Sequence, residues 1–180
     1  MPCLQLVLAP DPIFKKKSAP VEKITDEIRQ LMDGMMDTLK AEQGVGMAAP
    51  MVDVLKRIVV IDLHQDGKPI KLRMANPEII EKSEEKQIFE EASLCYPGIS
   101  ADIKRPKWVK VKYLDYDGKT QEIEADGFLA TCIQHEIDYL NGIVYLDYLS
   151  KLKRDTLLRK MNKFIKNNVV GNTCTGCCDN

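Results

Sequence analysis

The sequence predicts an α+β fold: mostly antiparallel sheets around a central helix, with a further helix at the C-terminal end. Three observations carry this expectation. Apolar residues recur at three- and four-residue steps near the start, a long middle stretch reads as extended segments broken by turn signals, and a markedly apolar helical run begins near residue 126.

Ile24, Ile28, Leu31, Met32, Met35 and Leu39 define the first pattern, with charged residues between them, and predict an amphipathic helix over residues 24–42. The glycine-containing stretch Gly44-Val45-Gly46-Met47-Ala48-Ala49-Pro50 follows. Residues 57–62, RIVVID, then read as a buried strand whose β-branched side chains pack on both faces. Strands are expected at 70–76 and 78–91, on either side of Asn76-Pro77. Residues 107–115 and 119–125 flank Asp117-Gly118, a dipeptide that favours a tight hairpin turn. Phe128, Leu129, Cys132, Ile133, Ile137 and Leu140 then predict the central helix over 126–140, which Asn141-Gly142 stops. A short strand at 143–146 and an amphipathic helix over 151–166 complete the order. The last helix turns Leu157, Leu158, Met161 and Ile165 inward and carries seven Lys or Arg.

A chain of 180 residues suits one domain, taken as residues 1–168, with 169–180 as a flexible tail that holds Cys174, Cys177 and Cys178. Its 26 basic side chains balance 27 acidic ones, so no global field gathers DNA or an anionic membrane. No apolar run reaches the ~20 residues of a membrane span, and the start lacks the form of a signal peptide. The expected location is cytoplasmic. Six cysteines, three of them within the last seven residues, do not form a disulfide framework, and reduced thiols are expected.

The chemistry concentrates at Gln134-His135-Glu136-Ile137-Asp138-Tyr139-Leu140 on the central helix. In an H-E-x-x-H helix two histidines one turn apart bind a cation, and the Glu between them acts as general base on its water. Here the second histidine is replaced by Tyr139. The glycine stretch also satisfies G-x-G-x-x-A, but it follows a helix and meets Pro50, whereas a dinucleotide-binding turn follows a strand and opens a helix.

The segments Gly44 to Met51, Glu91-Ala92-Ser93-Leu94-Cys95 and Gln134 to Leu140, with Val7 to Val21, Arg105-Pro106 and His135 to Leu149, closely resemble the peptide deformylase family over nearly all of residues 4–166. The resemblance implies the fold of those enzymes. It also implies removal of the formyl group from N-formylmethionyl nascent peptides during translation, with Fe²⁺, Zn²⁺ or a similar ion held by one Cys and two His.

Against that pattern, Ser93 stands at the ligand cysteine, Tyr139 at the second ligand histidine, and Met51 at the glutamine that polarises the formyl oxygen. Ala92 replaces a glycine. His135 is the one retained ligand and Glu136 the retained, vestigial general base, while Val45, Gly46, Met51 and Leu94 are the implied substrate-binding positions. A serine hydroxyl and a phenol are poor substitutes for a thiolate and an imidazole. The resulting expectation is a pseudoenzyme with a degenerate metal site and no cofactor, a module that binds peptides without turning them over. In the alternative, an active metal-dependent deformylase draws replacement ligands from Cys95 or Cys132 and uses Fe²⁺, Zn²⁺ or Ni²⁺. A hydrolase triad of Ser93, His135 and Glu136 is a third, less favoured reading. The expected partners are nascent or formylated peptides, and the ribosome through the basic last helix.

Overall fold

The computed structural model describes residues 3–168, so the Cys-containing tail lies outside the described residues. The first amphipathic stretch forms helix α1, Asp26–Ala41. Thr25 caps it by accepting the Ile28 N–H at 3.4 Å, and Asp26 and Glu27 place negative charge in the first turn, where the helix dipole favours it. Its buried face carries Ile28, Met32, Met35 and Leu39.

Strands β1 (Gly46–Ala48), β2 (Ile58–Gln65), β3 (Lys68–Lys82), β6 (Trp108–Leu114) and β7 (Thr120–Asp126) form an antiparallel sheet in the order β1-β2-β3-β6-β7. Strands β4 (Lys86–Ala92) and β5 (Ser100–Pro106) pair with each other in a second sheet. In β2, Ile58 to Ile61 are buried without interruption, as a strand covered on both faces requires.

The two strands expected around Asn76-Pro77 are differently divided. β3 runs through the proline, and the break falls instead at Ser83 to Glu85. The register of β3 on β6 shifts between Ala75 and Glu78, and Asn76 adopts a positive φ of 51°. A bulge there accommodates a residue without an N–H, and the Asn76 amide secures it by exchanging two 2.8 Å hydrogen bonds with the Val21 backbone. β1 and β5 were not anticipated from sequence. The first is three residues long, and the second carries charges at alternate positions.

Helix α2, Gly127–Leu140, packs against β1 and β2 and reaches β4 to β7. Eleven of its fourteen residues are buried, so its polar side chains lie inside the protein. The strand expected at 143–146 is absent, and residues Tyr145–Tyr148 form a 3-10 turn. The Asp147 carboxylate accepts the Val144 N–H at 2.9 Å, a local bond that competes with strand pairing. Helix α3, Lys151–Asn167, is capped by Ser150 and buries Met161. Among the described residues no helix is long and apolar enough to cross a membrane.

Candidate active site

A cleft of about 520 Å³ opens between the Gly44 to Gly46 segment on one side and the end of β4 with its following turn on the other. Helix α2 supplies the floor through Cys132, His135 and Glu136. Of the positions singled out from sequence, Val45, Gly46, Met51, Ser93, Leu94, His135 and Glu136 all line this cleft, whereas Tyr139 lies fully buried beneath it.

His135 and Glu136 follow one another on α2 and meet different surroundings. His135 Nδ1 lies 2.8 Å from Glu91 Oε2, and its ring stacks on Tyr145 with centroids 5.7 Å apart. The Glu91 carboxylate is also gripped bidentately by Arg105, through Nε to Oε1 at 2.6 Å and Nη2 to Oε2 at 2.9 Å. Arg105 Nη1 continues to Asp138 Oδ2 at 2.7 Å, and Tyr148 lies under the guanidinium at 4.8 Å. Burial works to raise the Glu91 carboxyl, but hydrogen bonds from His135 and Arg105 outweigh it and hold the group below the usual carboxylate range. For His135, burial works downward, and the hydrogen bond to Glu91 together with the charges of Glu136 and Glu91 more than offsets it, so imidazole basicity rises.

Glu136 has no such support. Its Oε2 is buried and has no hydrogen-bond partner among the described residues. Burial is the main cause that pushes its carboxyl up to about 7. Gly46 makes its position possible, because a Cβ there would stand 2.7 Å from Glu136 Oε1.

The Glu91, Arg105 and Asp138 network was given no role from sequence. Its signal was present in the alternation of β5, where Ala101, Ile103 and Arg105 all point inward. An arginine on an inward face calls for buried carboxylates.

Ser93 and Tyr139, the two positions where the family places ligands, are in direct contact, with hydroxyl oxygens 2.8 Å apart. The two hydroxyls bond to each other, while His135 is bonded to Glu91. Burial raises the thiols of Cys95 and Cys132 well above their usual value, and neither completes a ligand set. Among the described residues no group of three His, Cys, Asp or Glu side chains is arranged to hold a cation. Two neutral hydroxyls bonded to each other and one imidazole do not match a Cys-His-His metal site. Met51 is buried, and its Sδ accepts the Ala48 N–H at 3.4 Å where the family presents an amide.

The profile of the polypeptide deformylase family matches residues 3–155. A protein of Rickettsia conorii described as "Peptide deformylase-like" is 55% identical over 165 residues, covering 92% of this chain and 90% of that protein. The peptide deformylase of Mesorhizobium japonicum is 44% identical over 172 residues, covering 95% and 98%. The crystal structure of peptide deformylase from Ehrlichia chaffeensis superposes with a TM-score of 0.90 at 39% identity, covering 94% of this chain and 100% of that one. A second structure of the Ehrlichia chaffeensis enzyme, in complex with actinonin, has a TM-score of 0.87.

These likenesses correct the expectation of an inactive chain that is not an enzyme, and they lend no support to the labels of pseudoenzyme and degenerate metal site. Relatives that match nearly the whole chain are deformylases, and the substitutions at Ser93, Tyr139 and Met51 leave the cleft and the Glu136 carboxyl in place. The expectation that no cofactor is needed is likewise unsupported, since these enzymes depend on a metal whose identity the likenesses do not give. On profile, identity and fold together, the chain belongs to the peptide deformylase family.

Proposed function

We propose that this chain hydrolyses the formyl amide at the N terminus of formylmethionyl peptides, with Glu136 as the group that moves the proton. The observation that carries the proposal is the placement of Glu136: a buried carboxyl with an unpartnered oxygen, at the floor of a cleft that an extended peptide can enter. A carboxyl raised to about 7 is near half-ionised at neutral pH. It is therefore suited both to take a proton from an attacking water and to return it to the departing amine. Water oxygen bonds to the formyl carbon, the C–N bond breaks, and the proton passes through Glu136 to the amine, giving formate and a free N terminus.

Other features fit this chemistry. β1 is the outermost strand of its sheet, so a peptide lying along it can add as a further strand through main-chain hydrogen bonds. Val45, Leu94 and Pro97 offer apolar walls for a methionine side chain. The network of Glu91 and Arg105 fixes the His135 ring beside the reacting group.

Formate release from formyl-Met-Ala-Ser tests the reading, with E136Q as the control. The wild-type chain should turn over, and E136Q should lose about 10²- to 10⁴-fold, the usual contribution of a positioned acid or base. Measurements on chelated protein and after addition of Fe²⁺, Zn²⁺ or Ni²⁺ read out whether the reaction needs an ion. No formate under any of these conditions would overturn the proposal.

A further inference from the structure

The contact between Ser93 and Tyr139 fixes where a proton points. Tyr139 is fully buried, and its hydroxyl meets Ser93 Oγ at 2.8 Å, its hydrogen-bond partner among the described residues. A phenol is the more acidic of the two hydroxyls and an alcohol oxygen the better acceptor, so the favoured arrangement has Tyr139 donating to Ser93. The Cys95 N–H approaches the same oxygen at 3.3 Å, and a backbone N–H only donates. Both lone pairs of Ser93 Oγ are then engaged, which leaves its one proton to the weakly accepting Cys95 sulfur or to a stronger acceptor in the cleft. Ser93 is half-buried and lines the cleft beside His135 and Glu136, so a carbonyl oxygen bound there competes with that sulfur for the proton and is the stronger acceptor.

The neighbouring groups leave this task to Ser93. Met51 offers no donor, since its sulfur is an acceptor for Ala48 N–H. His135 commits its Nδ1 to Glu91.

We infer that Ser93, oriented by Tyr139, donates a hydrogen bond to the carbonyl oxygen of the amide bound in the cleft and stabilises the negative charge that develops there. Water attack on that carbon moves the π electrons onto oxygen, and a donor already aimed at it needs no reorganisation when the charge appears. This assignment rests on the proposed amide hydrolysis, with Ser93 as a catalytic residue and Tyr139 as a positioning residue.

Two measurements test it. In turnover of formyl-Met-Ala-Ser, S93A should lower kcat by about 10²-fold with little change in KM, as for loss of one oxyanion donor. S93T, which keeps the hydroxyl, should recover most of the rate. In the infrared, the ¹³C-labelled formyl carbonyl of the same peptide bound to E136Q should absorb at lower wavenumber than when bound to E136Q/S93A, with E136Q/Y139F between them. Wild-type turnover that S93A leaves unchanged overturns the role of Ser93 and spares the proposed reaction. Absent turnover defeats the proposed reaction, and the infrared band then decides the rest. A band that S93A does not move overturns the inference, and one that moves upward sustains Ser93 as the carbonyl donor.

Discussion

Replacing Arg105 with methionine removes the centre of the charged network while keeping an unbranched side chain of comparable reach. The guanidinium makes three short ionic hydrogen bonds, two to Glu91 and one to Asp138, and the Arg105 and Glu91 side chains are each only 4% exposed. At that depth solvent screens little, so the 0 to ~1 kcal/mol of an exposed pair does not apply. Breaking a buried pair from one side costs about 3–5 kcal/mol, because the remaining carboxylate is stranded. For a chain of this size, that is a fall in Tm of roughly 6–20 °C. Urea unfolding of R105M followed by circular dichroism, with wild type, E91M and the double variant beside it, measures the cost. The double variant should be more stable than R105M, since Glu91 is then no longer stranded and only Asp138 lacks its arginine. The pH dependence has a definite sign. Glu91 is held below the ordinary range by His135 and Arg105, so its stabilisation is present above that range and disappears as pH falls through its depressed value. The gap between wild type and R105M should therefore narrow in acid. A loss below about 1 kcal/mol at pH 7 would show that water screens the network and refute the reasoning.

Glu136 should show the opposite linkage. Its carboxyl is raised from 4.5 to about 7, so folding stability is lost as pH climbs between those values. E136Q should match wild type at pH 4 and be more stable at pH 8, by an amount on the order of 3 kcal/mol, read from urea midpoints. Equal stability at pH 8 would mean that the carboxylate is solvated. G46A places a methyl 2.7 Å from Glu136 Oε1, so it should cut turnover and cost roughly 1–3 kcal/mol; an unimpaired G46A would show that the carboxylate can move aside freely. Cys95 and Cys132 should resist iodoacetamide in the native protein at pH 8 and react once it is unfolded, because burial raises both thiols and the thiolate is the nucleophile. Peptide mass mapping reads the result, and rapid native labelling at either position would contradict its burial.

The local periodicities were sufficient for the three long helices. Ile28, Met32, Met35 and Leu39 lie on one face of α1, and the near-continuous apolar run of α2 marked the helix that the fold would bury. The Asp117-Gly118 hairpin and the motif positions Gly46, Ser93, His135 and Glu136 were equally legible, because each depends on residue type at fixed spacing. The course of the chain through Pro77 was not, since the bulge that admits it requires the Val21 backbone, far away in sequence. Nor was the turn at Tyr145–Tyr148, where one carboxylate decides between a strand and a local bond. At the site, sequence named the substituted residues, but reading them one by one as lost ligands led to the expectation of inactivity. Tertiary structure decided how they act together. Ser93 arrives from the turn after β4 and Tyr139 from α2, and their hydroxyls meet at 2.8 Å. Glu91 and Arg105 come from paired strands to anchor His135, while Glu136, one residue further along the helix, is left with a buried oxygen that has no hydrogen-bond partner among the described residues. Sequence spacing fixes which residues share a helix face, but hydrogen-bond partners and burial depend on which elements meet, and those set what each carboxyl and hydroxyl can do.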